Sequence, residues 1–353
     1  MKERSVAGLR SPREGGPRAI WEKLVFRAEY AVAWPWIRVV RLLPERLAVS
    51  FGRRLGQLGF VLRMRRRVGE ENLTIALPEL PEAERRRILL RSYENLGRTL
   101  VEIVRLSVLS EESIRSRVRY DPASLDNLAR AESRGRGVIF ITAHLGNCEL
   151  LALSHGLLHK PFHVVGRAMR NPLFDRDLLR LRVRTGNVIS SRQDFSSLRK
   201  MILHMKEGGT VGVLIDQCPR RGTVVPFFGK ETLCHRGPAT LALRTGAAVV
   251  PAFIRPDGEA DGGCILHVGP EVQVVSGKNR EESIRLLTAR MQEVVEKEVR
   301  SRPEEWLWTH KRWKRSSVKV ASYSRSARRK RRSERRWRDS EKRATGASAS
   351  EKE

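Results

Sequence analysis

The sequence predicts an α/β fold: a largely parallel or mixed central sheet flanked by helices, with an N-terminal helical membrane-associating region. Three observations predict it. From about residue 137, short β-branched runs alternate with helical stretches, as in strand–helix–strand units. Before that, residues 21–120 carry apolar side chains at helical spacing. Within them, residues 28–43 place Tyr30, Trp34 and Trp36 beside Arg38 and Arg41. Aromatic rings next to long basic side chains suit the boundary between lipid and water. The same stretch suits an amphipathic helix packed on the body. Pro35 and the two arginines keep it from reading as a clean transmembrane span.

The elements follow in order. Residues 1–20 are rich in Gly, Arg and Pro and read as disordered. Leu47, Phe51, Leu55 and Leu58 recur at helical spacing, with Arg46, Arg53 and Arg54 between them. Pro81 and the acids after it open another helix, which continues through Ile88, Leu89, Tyr93 and Leu96 toward Val104. Strands are expected at 137–142, 162–166, 187–190, 210–216 and 248–254, with one or two more in 264–275. Helices are expected at 149–158, 173–185, 196–206, 237–245 and 281–300. Gly208 and Gly209 stop the third of these. Residues 226–238 read as an apolar loop leading into a small-residue helix. Residues 316–353 hold almost nothing apolar and carry a formal charge of +8, a disordered basic tail. The organisation is therefore 1–20, 21–120, 121–315 and 316–353, with the two middle segments packed as one domain.

Composition narrows the function. The 353 residues are 40% hydrophobic, enough for a sizeable core. A formal net charge of +29 points to an anionic partner: nucleic acid, an anionic membrane or an acidic protein. Aromatics are only 6%, and no zinc-finger or other nucleic-acid-reading motif occurs, so no nucleic-acid partner is expected. Cys148, Cys218, Cys234 and Cys264 are scattered and form no CxxC, which fits reduced thiols. Residues 1–20 lack the apolar core of a signal peptide.

One stretch carries chemistry. An apolar run ends in Thr142-Ala-His-Leu-Gly-Asn-Cys-Glu149. Residues five apart on one helix lie roughly 140° apart around its axis. His144 and Glu149 therefore meet only if His144 sits on the turn and Glu149 in the first helical turn. Gly146 permits the bend and Asn147 is a good N-cap. This places an imidazole at a strand's C-terminal end, where open α/β sheets bind ligands. A carboxylate on one ring nitrogen fixes the tautomer and makes the other a better base. Glu149 is the expected partner; the bland alternative is a surface His beside a capping Glu.

Rival chemistries lack their signatures. There is no Gly-x-Ser-x-Gly, Walker loop or dinucleotide fingerprint. His155, His159 and His163 recur every four residues, but Pro161 breaks the helix, and no metal or cofactor is expected. Arg167 and Asp216 follow other strands, Arg167 as a site residue or a solvated charge, Asp216 as a site residue or a turn cap. Asn147 and Gly237 complete the candidates for substrate binding.

At these residues the chain resembles the bacterial lipid A acyltransferases, the lauroyl/myristoyl branch of the lysophospholipid acyltransferase superfamily, with its His-x4-Glu/Asp motif at His144 and Glu149. The resemblance covers most of residues 25–315. It includes Glu71-Asn-Leu-Thr-Ile-Ala-Leu-Pro-Glu79, Arg167 with Asn171-Pro172, and Asp216-Gln217. It continues through Val225-Pro-Phe-Phe-Gly229 and Gly237-Pro-Ala-Thr-Leu-Ala242 to Pro303-Glu-Glu-Trp-Leu-Trp-Thr-His-Lys-Arg-Trp-Lys314. It implies direct acyl transfer from an acyl thioester, usually on acyl carrier protein, to a hydroxyl of a lipid A precursor. His144 would act as base, oriented by Glu149. Arg167 would hold a phosphate or the oxyanion, and Asp216 would orient it or shape the site. A lysophospholipid, glycolipid or mannosylated lipid is the alternative acceptor. The implied place is the cytoplasmic face of a bacterial inner membrane, peripheral or single-span, with an anionic membrane surface as partner. A basic nucleic-acid-binding protein is the alternative from another class.

Overall fold

The computed structural model describes residues 17–166, 168–191, 195–257 and 263–314. The basic tail, Arg167 and residues 1–16 lie outside them. Four helices come first: α1 (Pro17–Leu42), α2 (Glu45–Val61), α3 (Arg66–Ala76) and α4 (Glu82–Leu106). Helix α1 begins inside the stretch read as disordered. It runs unbroken through Pro35, which lacks the N–H its turn would donate. Helices α2 and α4 press together at glycines. A β-carbon on Gly97 would sit 2.0 Å from the Gly52 carbonyl oxygen, so no larger residue fits without parting them.

The sheet region alternates as expected: α5 (Glu111–Arg115), β1 (Val118–Tyr120), α6 (Pro122–Glu132), β2 (Val138–Thr142), α7 (Cys148–Leu158), β3 (Phe162–Gly166), α8 (Pro172–Val183), β4 (Val188–Ser191), α9 (Phe195–Lys206) and β5 (Thr210–Leu214). It continues with β6 (Thr223–Phe227), β7 (Lys230–Cys234), α10 (Gly237–Thr245), β8 (Ala248–Pro256), β9 (Cys264–Val268) and α11 (Arg280–Ser301). Seven strands form one sheet in the order β1-β9-β8-β2-β5-β3-β4. Among the described strands of this sheet only β8 and β9 pair antiparallel, so the sheet is mixed.

Strand β2 is buried at every position. Its alternate side chains feed both layers. Ile139 and Ile141 join a core with Leu89, Tyr93, Leu287 and Met291, while Val138 and Phe140 join one with Leu128, Leu151 and Leu153. Helix α4 thus belongs to the same core as the sheet.

Two further sequence expectations are corrected. Residues 118–120 form β1, inside the segment read as helical; three residues are too few to show a period of two. The loop at 226–238 is in part the hairpin β6–β7. It closes on Phe228 and Gly229, both at positive φ (53° and 67°), as a two-residue turn requires. Pro226 hid this strand, because proline lacks a ladder donor and is tolerated only at sheet edges. Residues 264–275 give one strand, ending at Val268, within the one or two expected.

No helix among the described residues is long and apolar enough to cross a membrane. Helices α1 and α2 nonetheless expose Trp21, Trp34, Trp36, Leu42, Leu55, Leu58 and Val61.

Candidate active site

The site lies where β2 and β5 end. These strands run parallel, with Thr142 paired to Leu214. His144 and Asp216 each come two residues later, so register alone sets them side by side, about one strand spacing (~4.8 Å) apart. The Nδ1 of His144 lies 2.8 Å from Asp216 Oδ1, and the His144 backbone N–H donates to Oδ2 at 2.9 Å. Trp306 Nε1 donates to the same Oδ2 at 2.9 Å.

Asp216 is 2% exposed. Burial alone would push its carboxyl up. The charge of His144, both His144 hydrogen bonds and the Trp306 donor outweigh burial and hold it well below the usual carboxylate range. An ionised Asp216 accepts only, so Nδ1 carries the proton and Nε2 presents a lone pair. The side chain of His144 is 30% exposed. Its Nε2 lies 3.3 Å from the Gln217 carboxamide nitrogen.

The C-terminal segment straps this turn. Leu307 N–H donates to His144 O at 3.1 Å, and Gly146 N–H to Glu305 O at 3.1 Å. Gly146 adopts φ +65°, a conformation that favours glycine. Arg98 of α4 pairs with Glu305 at 3.0 Å, tying the first helices to the strap. The Trp-rich end is itself anchored by Arg312, whose buried guanidinium bonds Thr232, the Leu233 carbonyl, Cys234 and Gln292. Gln292 in turn donates to Ile215 O, next to Asp216.

Trp306→Phe keeps an aromatic side chain, smaller than the buried indole, and removes one donor from a buried carboxylate. It is expected to cost about 1.5–3 kcal/mol, the range for hydrogen bonds to charged groups. Urea denaturation measures it, and an unchanged midpoint would show that the bond carries no stability.

The structure distributes the other candidates. Glu149 sits in the first turn of α7, as the spacing required, but its carboxylate bonds Arg182, not the imidazole. The reason is geometric. Its side chain points across to α8, while Asp216 already fills the Nδ1 side. Asn147 caps α7, accepting from Leu150 N–H at 3.0 Å and donating to Glu102 at 3.0 Å. It therefore shapes the turn from behind. Gly237 opens α10, and a β-carbon there would meet nothing within 4 Å. Arg167 lies outside the described residues.

Burial pushes the Cys148 thiol up to about 12, with the charge of Glu149 adding to it, so it is no nucleophile at neutral pH. His155, His159 and His163 part company: they bond Tyr120, Glu132 and Ser190 respectively. Sequence reasoning missed Trp306, Gln217 and Arg182 as site residues. A strand ending in Asp-Gln was the usable signal for Gln217; nothing local marked the other two.

The arrangement is a base held by a buried carboxylate at a sheet edge, able to take a proton from a hydroxyl. Comparison with known proteins places the chain among acyltransferases. The sequence model of the bacterial lipid A biosynthesis acyltransferases matches residues 23–315. The chain is 28% identical over 295 residues to the lipid A biosynthesis palmitoleoyltransferase of Escherichia coli (strain K12), covering 82% of this chain and 91% of that one. It is 27% identical over 293 residues to the lauroyltransferase of the same organism, covering 81% and 92%. It is 23% identical over 315 residues to a phosphatidylinositol mannoside acyltransferase of Mycobacterium tuberculosis (strain ATCC 25618 / H37Rv), covering 87% and 94%. The match spans both the helical region and the sheet, including every residue that builds the His144–Asp216–Trp306 cluster, and the chain is an acyltransferase that belongs to the bacterial lipid A biosynthesis acyltransferase family.

Proposed function

We propose that the protein moves a fatty acyl chain from an acyl thioester on acyl carrier protein to a hydroxyl of a lipid A precursor, with His144 as general base. The acceptor O–H gives its proton to Nε2 in the place where Gln217 now sits. The alkoxide oxygen bonds to the thioester carbonyl carbon. The resulting oxyanion collapses, the C–S bond breaks, and the thiolate leaves with the proton from Nε2. Asp216 stays ionised and stabilises the imidazolium between the two transfers. The observation that carries this reading is the Nδ1 bond to Asp216, which leaves Nε2 as the basic nitrogen of a partly exposed side chain.

The donor is read from charge. Residues 1–315 alone carry a formal +21, and acyl carrier protein is acidic, so encounter is steered electrostatically. The two Escherichia coli lipid A enzymes share more identity with this chain than the Mycobacterium tuberculosis mannoside enzyme does. A mannosylated lipid is the second reading. Mass spectrometry of lipids from cells with and without the gene decides. Loss of one acyl chain from lipid A supports the proposal, whereas loss from another lipid with lipid A unchanged transfers the activity to that acceptor.

We infer further that the protein attaches to the cytoplasmic face of the membrane through α1 and α2. Trp34 and Trp36 are 45% and 60% exposed, and Arg38 lies 5.1 Å from the Trp34 ring centre. Rings of this kind seat at the lipid–water boundary beside basic residues. The double variant Trp34→Glu/Trp36→Glu is expected to weaken sedimentation with anionic vesicles at least tenfold, since each buried aromatic contributes several kcal/mol. Unchanged vesicle binding would move the attachment elsewhere.

A further inference from the structure

The chain around Asp216 is pinned residue by residue. Ile215 N–H donates to Thr142 O at 3.0 Å, and its carbonyl accepts from Gln292 Nε2 at 3.1 Å. The Asp216 carboxylate accepts from the His144 backbone N–H, from Nδ1 of the imidazole and from Trp306 Nε1. The Cys218 N–H donates to Nε2 of His310 at 3.2 Å. Burial holds the His310 ring below the usual histidine range, so it is neutral near pH 7 and Nε2 keeps a lone pair. The His310 carbonyl in turn accepts from the buried Asn72 carboxamide of α3 at 2.6 Å.

Gln217 stands between these fixed points. Its backbone has anchored neighbours on both sides. Its half-buried side chain is held, among the described residues, by one long hydrogen bond, from the carboxamide N–H to Nε2 of His144 at 3.3 Å. With Nδ1 protonated, Nε2 accepts and the carboxamide nitrogen donates. That nitrogen occupies nearly the place an attacking hydroxyl needs, since a base takes a proton from an oxygen about 2.6–3.2 Å away. An arriving acceptor therefore displaces the carboxamide by about one hydrogen-bond length (~3 Å). The acceptor oxygen bonds to the thioester carbon, and the oxyanion grows on that carbon. A donor just displaced from Nε2, carried on an anchored corner, stays within reach of it.

We propose that Gln217 is a catalytic residue whose carboxamide leaves Nε2 of His144 when the acceptor arrives and donates to the thioester oxyanion. The proposal rests on the acyl-transfer reading above and names a group that meets the developing charge. As the acceptor oxygen bonds to the thioester carbon and Nε2 takes its proton, the carbonyl π pair moves onto the carbonyl oxygen. The Gln217 N–H donates to that oxygen. When the pair returns, the C–S bond breaks and the thiolate takes the proton from Nε2. The carboxamide is unchanged at the end. Donors of this kind are effective because the scaffold has fixed them before the charge appears.

Gln217→Leu keeps the size and loses both N–H donors, and Gln217→Met is a second variant of similar volume. Rates are measured with the dodecanoyl thioester of acyl carrier protein and a lipid A precursor, and thermal melting checks the fold. Both variants are expected to lower kcat about 10²–10³-fold, the usual effect of removing one oxyanion donor, with KM within about threefold. An unchanged or raised kcat overturns the proposal and leaves the carboxamide as a plug on the base. A loss carried by KM alone also overturns it, because the contact would then serve ground-state binding.

A dithioester separates oxyanion stabilisation from an effect on His144. It places sulfur, a weak acceptor, where the carbonyl oxygen stands. The unaltered protein should strongly prefer the thioester, and Gln217→Leu should shrink that rate ratio by about tenfold or more. An equal ratio in both proteins overturns the proposal by assigning the loss to the base. Where no lipid is acylated, hydrolysis of the same thioester by water passes through the same oxyanion and gives the ratio. Absence of both reactions overturns the parent reading and this one together. An inactive His144→Ala beside a fully active Gln217→Leu sinks only the role of Gln217. Full activity in His144→Ala sinks the parent reading, and the dithioester ratio then decides for Gln217 by itself.

Discussion

His144→Ala is expected to lower kcat about 10²–10⁴-fold, the usual contribution of a positioned general base, while the protein stays folded. The fold should survive because the imidazole is partly exposed and Asp216 keeps two other donors, the residue 144 backbone N–H and Trp306 Nε1. Initial rates with an acyl thioester and a lipid acceptor give the first quantity, and thermal melting gives the second. Full activity in a folded variant would dismiss His144 as the base. The loss should appear in kcat rather than in KM, since proton removal belongs to the transition state.

Asp216→Asn is expected to cost a comparable factor with almost no change in shape. An asparagine can turn its amide N–H toward Nδ1. That would stabilise the tautomer whose Nε2 carries the proton and has no lone pair for the acceptor hydroxyl. It also removes the charge that stabilises the imidazolium. Loss of an ionised partner lowers the histidine's proton affinity, so the acid limb of the rate profile should move to lower pH.

The same substitution has a stability signature. Asp216 ionises well below the usual range in the folded protein. A group of this kind contributes stability above its unfolded value, near pH 4. That contribution is lost as pH falls through the folded value. The unaltered protein should therefore lose stability on acidification, and Asp216→Asn should lose less of it. Identical acid slopes would mean that the carboxylate is not held ionised.

Much of the fold was legible along the chain. Strand β2 announces itself as an uninterrupted apolar run, and α4 as a periodic helix opened by proline and acids. These signals are local, set by side-chain spacing over one element. Failures came where the signal was short or masked. Strand β1 has three residues, and β6 contains Pro226. Helix α1 runs past Pro35 although proline weakens a helix from within. The site shows the same division. His144 was readable from its place after a strand, and Asn147 from its capping chemistry. The partner of His144 was not, because Glu149 is near in sequence whereas Asp216 is 72 residues away.

The sequence by itself determined the α/β class, the turn that exposes His144, the helix start that carries Glu149 and the family. All of these depend on neighbours within one element or on motif order. Only the tertiary structure decided which charges meet. Parallel pairing of Thr142 with Leu214 carries Asp216 to the imidazole, the C-terminal strap brings Trp306 to Asp216, and α8 brings Arg182 to Glu149. Hydrogen bonds act over about 3 Å, and chain separation says nothing about that distance until strand register and helix packing have set it.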